Sequence, residues 1–400
     1  MTDAPYLSRI CRPGPTLVFV TIVLAASLVS TAFAFAESDG KPTASKAAII
    51  TIEGEINDVT YSSLIRRVDQ AREEGVDMLI LKMDTPGGLV SSALDICTYL
   101  KNLTEMRTVA WVKPSAFSAG AMISLACNEI VMASASKIGD CAPILLSPTE
   151  GLQELGETER AKVESPILKE FRDSAHRRHY DMLLCEAMVR LGSEIWWIEK
   201  KSGGERRFVL TEEKDKLLDE KDSPWRLVES MNDPVSGDVL PVRQPVVEDR
   251  DLLTLTQSEA VAFGFAKAIV SNERELKAFY NIAGELAMMT PNWAEGVCEC
   301  PRPPLGRAVV MLPIGLGIDA ECNAAGHFVG GAVALVALVI FLGAPYITGL
   351  ADMWEILLVA LGLILIGIEI FLIPGFGIAG IAGILLVFVG FIATVVPAEP

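Results

Sequence analysis

Two short stretches of the chain carry residue types suited to acyl transfer. Asp84-Thr85-Pro86-Gly87-Gly88 sets two consecutive glycines directly after the β-rich run Met78–Met83. Lacking Cβ atoms, they let the backbone approach a substrate closely and reach positive φ. Adjacent N–H groups at a strand end can hold a developing oxyanion, each donor being worth about 3–4 kcal/mol. In Phe117-Ser118-Ala119-Gly120-Ala121, Ser118 stands at a predicted helix N-terminus, where free N–H groups and the helix dipole favour negative charge. Each stretch also has a simpler reading. The first can be a plain strand-to-helix turn, and the second an N-cap serine.

A serine nucleophile needs a base. The chain holds three histidines. His327 adjoins the apolar C-terminal region, and His176 and His179 flank Arg177-Arg178 with no acidic residue to orient them. Both of the latter are expected to be surface or packing residues. A lysine remains, and it serves as a base only where burial lowers its pKa toward neutrality. A Ser–Lys dyad is therefore the chemistry to test.

The elements that must position these residues alternate strand and helix. Ala47–Ile52 is a short apolar run, followed by an amphipathic stretch through Leu64, Val68 and Ala71 that ends at Gly75. Met78–Met83, Val109–Val112 and Ile130–Ala133 read as further strands, with a helix over Leu89–Leu100 and another starting at Ser118. Repeated β-α-β units imply a parallel sheet with helices on its faces. Such sheets place their working loops at the carboxyl ends of the strands, where Gly87-Gly88 and Ser115–Gly120 both fall. A charged helix is expected from Arg160 to Leu191, interrupted near Pro166. The stretch 203–251 is polar and reads as an insertion. Thr256 with Glu259 three residues later is a capping box, and Ala266–Val270 reads as a closing strand.

The two ends are apolar. Arg9 and Arg12, an apolar run over Leu17–Leu28 and Ala34-Phe35-Ala36 make residues 1–36 a predicted export signal. Near the C-terminus, Phe328–Ile347, Met353–Ile373 and Phe376–Val396 approach or meet the length needed to span a bilayer. Residues 328–396 are thus expected to form three transmembrane helices, with Val309–Ile318 an interfacial segment. Glu355 and Glu369 lie in the second run and are expected to face neighbouring helices. An exported middle would leave the C-terminus cytoplasmic.

A net charge of −17, from 51 acids against 34 bases, argues against a phosphate-matching basic surface, so no nucleic-acid partner is expected. With 51% hydrophobic and 21% charged residues and a mean hydropathy of +0.39, disorder is excluded for most of the length and a membrane protein with a soluble middle is indicated. Cys97, Cys127 and Cys141 sit in apolar or Gly/Ala-rich surroundings, as buried small hydrophobes do. Cys298-x-Cys300 with Cys322 could bridge in an oxidising compartment but lacks zinc spacing.

The run Ile80–Val90, the Val112-Lys113-Pro114 step, Phe117–Ala121, Ile130–Ala133 through Ile138-Gly139, and Thr254–Ala260 with Gly264 together resemble the NfeD family, membrane-bound serine proteases of the ClpP/crotonase superfamily. The resemblance covers residues 46–290 and implies a ClpP/crotonase-like α/β domain followed by a transmembrane helical region. It implies a Ser–Lys endopeptidase in which Ser118 is the nucleophile and Gly87 and Gly88 form the oxyanion turn. The family's lysine lies about forty residues after the serine, at the start of the long helix; Lys162 best fits that register, with Lys169 in reserve and Lys137 too early. The bulky Phe117 departs from the small residues many members carry beside the nucleophile.

Three functions are in view. The first is an endopeptidase held on the exported (periplasmic or extracellular) side, cutting hydrophobic segments of membrane proteins, with a stomatin-like partner and self-association implied by the family and no cofactor or metal called for. The second is a catalytically inactive scaffold that organises stomatin-like partners. The third, an acyl-CoA enzyme of the crotonase type, conflicts with export, because CoA thioesters are cytosolic.

Overall fold

The computed structural model describes residues 44–143, 145–147, 151–153, 156–220, 222–299, 305–323, 328–348, 351–371 and 377–395. The expected export signal at 1–36 and Cys300 lie outside them.

The first half of the soluble region is a β-α-β succession: β1 (Ala47–Ile56), α1 (Asp58–Glu73), β2 (Met78–Gly88), α2 (Val90–Asn102), β3 (Arg107–Phe117), α3 (Ala119–Ala126), β4 (Glu129–Met132) and β5 (Lys137–Gly139). β1, β2, β3 and β4 pair in parallel, as the alternation predicts. The strands run as far as the motifs themselves. β2 carries Asp84–Gly88 and β3 ends at Phe117, so Gly87 and Ser118 stand at the carboxyl ends of neighbouring strands. Ile50, Leu79, Leu81, Ala110 and Val112 on this sheet are fully buried with Leu64 and Val68 of α1 and Ile96 of α2. Every residue of α3 is buried as well, so a short apolar helix without a side-chain cap is held in place by packing.

After the hairpin β6 (Leu145–Ser147) and β7 (Gly151–Gln153), α4 runs over Glu157–Arg178 and α5 over Met182–Ala187. The helix expected at Arg160–Leu191 is thus two helices. The first passes through Pro166 and stops where His179 turns to a left-handed conformation at φ 60°. Only the second half of α4 is anchored, by buried Ile167, Leu168, Phe171 and Ala175 at helical spacing.

The polar stretch within 203–251 is built into regular structure. β8 (Ile195–Lys200), β9 (Arg206–Leu210) and, after α6 (Thr211–Leu218), β10 (Trp225–Leu227) form an antiparallel sheet in the order β10-β8-β9. β11 (Ser230–Asn232) and β12 (Val239–Pro241) pair beside it. Its small core is aromatic, with Trp197 stacked on Phe208 at 5.6 Å and edge-on to Phe263 at 5.1 Å. The Gln244 side chain donates to the Trp197 and Val228 carbonyls, so these two buried-side acceptors of the unit are satisfied.

β13 (Thr254–Thr256) closes one edge of the main sheet against β5, and α7 (Gln257–Ala262) follows it with the predicted Thr256/Glu259 capping box in place. The strand expected at Ala266–Val270 does not form. That segment hydrogen-bonds along β4 but makes a single bridge, Met132 with Ile269. After α8 (Glu273–Phe279), the other edge is closed by β14 (Leu286–Met289), in parallel with β1.

A short helix α9 (Trp293–Glu299) leads into α10 (Leu305–Asn323), α11 (Val329–Ile347), α12 (Met353–Phe371) and α13 (Ile378–Val395). Glu295 of α9 is buried and accepts from Ser63 Oγ and Arg66 Nε of α1, both at 2.6 Å, which ties the soluble domain to the juxtamembrane chain. Among the described residues, α11 is long and apolar enough to cross a membrane, and Ile378–Ala393 is a shorter apolar helix. Val309–Ile318, expected as a short interfacial piece, lies inside the 19-residue α10, which packs against α11 with close backbone approach at Gly317 and Gly330. Glu355 and Glu369 are both buried, as expected of acids facing neighbouring helices. Glu369 accepts from the Gly377 and Gly380 amides and so caps the start of α13.

Candidate active site

Ser118 sits at the elbow between β3 and α3 with φ 52° and ψ −120°, a conformation that costs a non-glycine residue about 1–3 kcal/mol. The elbow is held from three sides. The Ser118 N–H donates to the Gly139 and Asp140 carbonyls at 3.0 and 3.1 Å. Its carbonyl accepts from Ala121 and Met122 of α3 at 3.0 and 3.2 Å, and from the Cys141 thiol at 3.3 Å. With these backbone bonds made, the side chain projects at a half-buried position and Oγ has no hydrogen bond among the described residues. The Ala119 and Gly120 amides precede the first intrahelical bond of α3, at the positive end of the helix.

Gly87 stands against Ser118. A Cβ at Gly87 would lie 2.5 Å from Ser118 Cβ and 3.0 Å from Oγ, and its φ is +112°. Only glycine fits here, both for the space and for the dihedral. Gly88 pairs with Ile56 of β1 and is closed off by the Ile56 carbonyl, which would be 2.0 Å from a Cβ. Of the two expected donors, Gly87 thus touches the serine, and its N–H is already engaged by Thr85 Oγ1 at 3.0 Å. Thr85 is fully buried, and its Cγ2 methyl fills the hollow left by Gly120 on α3.

Lys162 and Lys169 are exposed on α4, and Lys137 is exposed at the start of β5. No hydrogen bond joins any of them to Ser118 among the described residues. His176 and His179 are exposed at the end of α4, as expected. Among the described residues, the Lys101 ammonium of α2 is buried and bonds Glu170 and Asp173 of α4 at 2.6 Å each. It anchors the helix that carries Lys162, and sequence reading passed it over because a single lysine near a helix C-terminus looks like an ordinary surface charge. Its ammonium holds Asp173 below the usual carboxylate range.

Cys141 is the nearest thiol, and its donor bond to the Ser118 carbonyl makes it part of the elbow. Burial pushes this thiol well up, so the thiolate that nucleophilic chemistry requires is suppressed. Cys97, Cys127 and Cys185 are likewise buried and free, and Cys322 is exposed.

An open cleft of about 570 Å³ begins at Asp140, the residue whose carbonyl accepts from Ser118. Met231, Val246, Leu253, Leu255 and Phe263 give it an apolar floor, and Arg243, Arg250 and Glu259 line it with charge. Ser118 itself is not part of the lining. The insertion, expected only as a polar excursion, thereby supplies a wall of the cleft at Asp140.

Comparison with known proteins agrees with the motifs. The family described as "NfeD1b, N-terminal domain" matches residues 46–216, and the "NfeD integral membrane domain" matches residues 307–400. The chain is 28% identical over 337 residues to membrane protein NfeD1b of Bacillus subtilis, across 84% of this chain and 64% of that protein. It is 32% identical over 100 residues to the membrane-bound protease PH1510 of Pyrococcus horikoshii, across 24% of this chain and 22% of the protease. The chain therefore spans less than two thirds of the length of either relative. Among solved structures it is similar to the 1510-N membrane protease specific for a stomatin homolog from Pyrococcus horikoshii, with TM-score 0.39, 16% identity, and coverage of 64% of this chain and 97% of that one. A substrate-peptide complex of that protease gives TM-score 0.43 and 18% identity, over 63% and 95% of the two chains. With both its soluble and its membrane segments matched, this chain is a membrane protein that belongs to the NfeD family.

Proposed function

We propose that the chain is a membrane-anchored serine endopeptidase of ClpP/crotonase-like fold. Ser118 attacks the peptide carbonyl, the Gly87 and Gly88 turn with the start of α3 holds the oxyanion, and Lys162 exchanges the proton. The observation that carries this reading is the Ser118 elbow: a strained serine whose hydroxyl makes no hydrogen bond among the described residues, at a helix N-terminus, pressed against a glycine that admits no side chain. Structural serines at helix starts relax into extended N-cap geometry, so strain here is retained for another purpose. The apolar floor of the cleft beside Asp140 suits a hydrophobic side chain, and the name of the Pyrococcus relative, a membrane-bound protease, supports the same reaction class. We carry over from that relative a stomatin-like protein as partner. We also propose that the soluble domain lies on the exported side of a multi-pass membrane region.

A lysine in water is a poor base at neutral pH. In this reading the bound peptide covers the exposed first turns of α4 and brings the amine to the serine. The exposure of Lys162 favours a second reading, an inactive scaffold organising stomatin-like partners. Incubating the full-length protein in detergent with an apolar transmembrane-type peptide separates the two. The protease reading expects cleavage that is lost in both Ser118→Ala and Lys162→Ala with folding intact. Full activity in either variant contradicts the dyad, and absence of cleavage in the unmodified protein favours the scaffold.

A further inference from the structure

We infer that Thr85 is a latch on the Gly87 amide, holding the proposed oxyanion donor in a resting state that substrate must displace. This rests on the peptidase reading of Ser118 and names a residue that reading does not use. Thr85 is fully buried in β2, paired with Ala116 of β3, two residues before the serine. Its side chain has two functions that its two branches keep separate. The Cγ2 methyl sits in the Gly120 hollow, 2.4 Å from where a Cβ would stand, so it keys β2 to the first turn of α3. The hydroxyl accepts from the Gly87 N–H at 3.0 Å and lies 3.4 Å from the Gly87 carbonyl, so it closes the turn on itself.

A backbone N–H can serve an oxyanion fully only when it is not already committed to a neutral acceptor. In the resting arrangement Thr85 Oγ1 is that acceptor, and the buried amide is satisfied without substrate. On attack by Ser118, the carbonyl oxygen gains charge, and a charged acceptor is about twice as strong as a hydroxyl. The Gly87 N–H then exchanges one acceptor for the other. No bond to carbon is made or broken by Thr85, and no proton leaves it; it is a positioning residue acting through Gly87. The latch lowers reactivity in the absence of a well-seated peptide, because the competing bond must be given up first.

Two substitutions separate the branches. Thr85→Val keeps the shape and the methyl in the Gly120 hollow but removes the acceptor, whereas Thr85→Ser keeps the acceptor and removes the methyl. The first measurement is amide hydrogen exchange at Gly87 in the full-length protein in detergent, which is independent of activity. Loss of protection at Gly87 in Thr85→Val, restored in Thr85→Ser, is expected; unchanged protection in Thr85→Val overturns the latch. The second is the rate at which a fluorophosphonate labels Ser118. Loss of a neutral competing bond is expected to speed labelling of Thr85→Val about two- to tenfold over the unmodified protein. Equal or slower labelling of a folded Thr85→Val also overturns the latch, since a merely structural threonine would give that result. If neither protein is labelled while Gly87 protection shifts as expected, the hydrogen-bond switch stands and the serine-protease reading fails.

Discussion

The serine side and the lysine side of the proposed site are built on different principles. Ser118 is fixed by backbone: the ends of β2, β3 and β5, a buried helix and a glycine leave it one position. Lys162 is a long exposed side chain on the first half of α4, before the buried anchors Ile167, Leu168 and Phe171 begin. Pro166 sits between these halves and has no N–H to give to the carbonyl of Lys162, four residues earlier, so the helix ladder is interrupted at Lys162 itself. A rigid nucleophile with a loosely held base is the arrangement expected if catalysis waits for substrate to complete the site.

The largest effect should come from the rigid side. Ser118→Ala is expected to lower peptide cleavage by about 10³-fold or more with little change in melting temperature, as measured by initial rates and calorimetry. Gly87→Ala comes next, because its Cβ would overlap Ser118. A loss of about 10²-fold in cleavage with about 1–3 kcal/mol of stability is expected from denaturant unfolding. Unchanged activity there would mean that the glycine is only a turn.

On the loose side, Lys101→Ala removes a buried ammonium and leaves Glu170 and Asp173 without it. About 3 kcal/mol of stability should be lost, and more in the anchored half of α4 than elsewhere by hydrogen exchange. The smallest effect is on acid stability. Asp173 is lowered chiefly by Lys101. For Glu295, burial raises the carboxyl, but hydrogen bonds from Arg66 and Ser63 outweigh it and the net shift is downward. Depressed carboxylates contribute stability that is complete above the unfolded value near pH 4 and is lost as pH falls through the lower folded values. Thermal melts should therefore drop below about pH 4, and the drop should be shallower in Lys101→Ala, which has already lost the Asp173 share. An unaltered acid slope in that variant would detach Asp173 from the clamp.

What the sequence made legible follows the same division. The parallel strands and the positions of Gly87 and Ser118 at their carboxyl ends could be read because apolar runs, Gly-Gly and Ser-Ala-Gly are local signals. The continuation of α4 through Pro166 could not, because it depends on Phe171 and Ala175 finding the core from the far side of the proline. The small sheet β10-β8-β9 was hidden for a similar reason. Its core joins Trp197 and Phe208 to Phe263, more than fifty residues later, and no local periodicity announces that contact. Ala266–Val270 misled in the other direction: its residues are strand-like, but it meets β4 through one bridge only. The engagement of the Gly87 amide by Thr85 leaves no local signal, since the threonine in Asp84-Thr85-Pro86 has no distinguishing sequence context.

The most direct test is to treat the full-length protein with a fluorophosphonate, locate the adduct by peptide mass spectrometry, and compare labelling rates with and without Lys162. A phosphonylated Ser118, formed about 10²-fold more slowly in Lys162→Met, is the expected result. A folded protein that takes no label at Ser118, or a Lys162→Met variant labelled at full rate, would contradict the account.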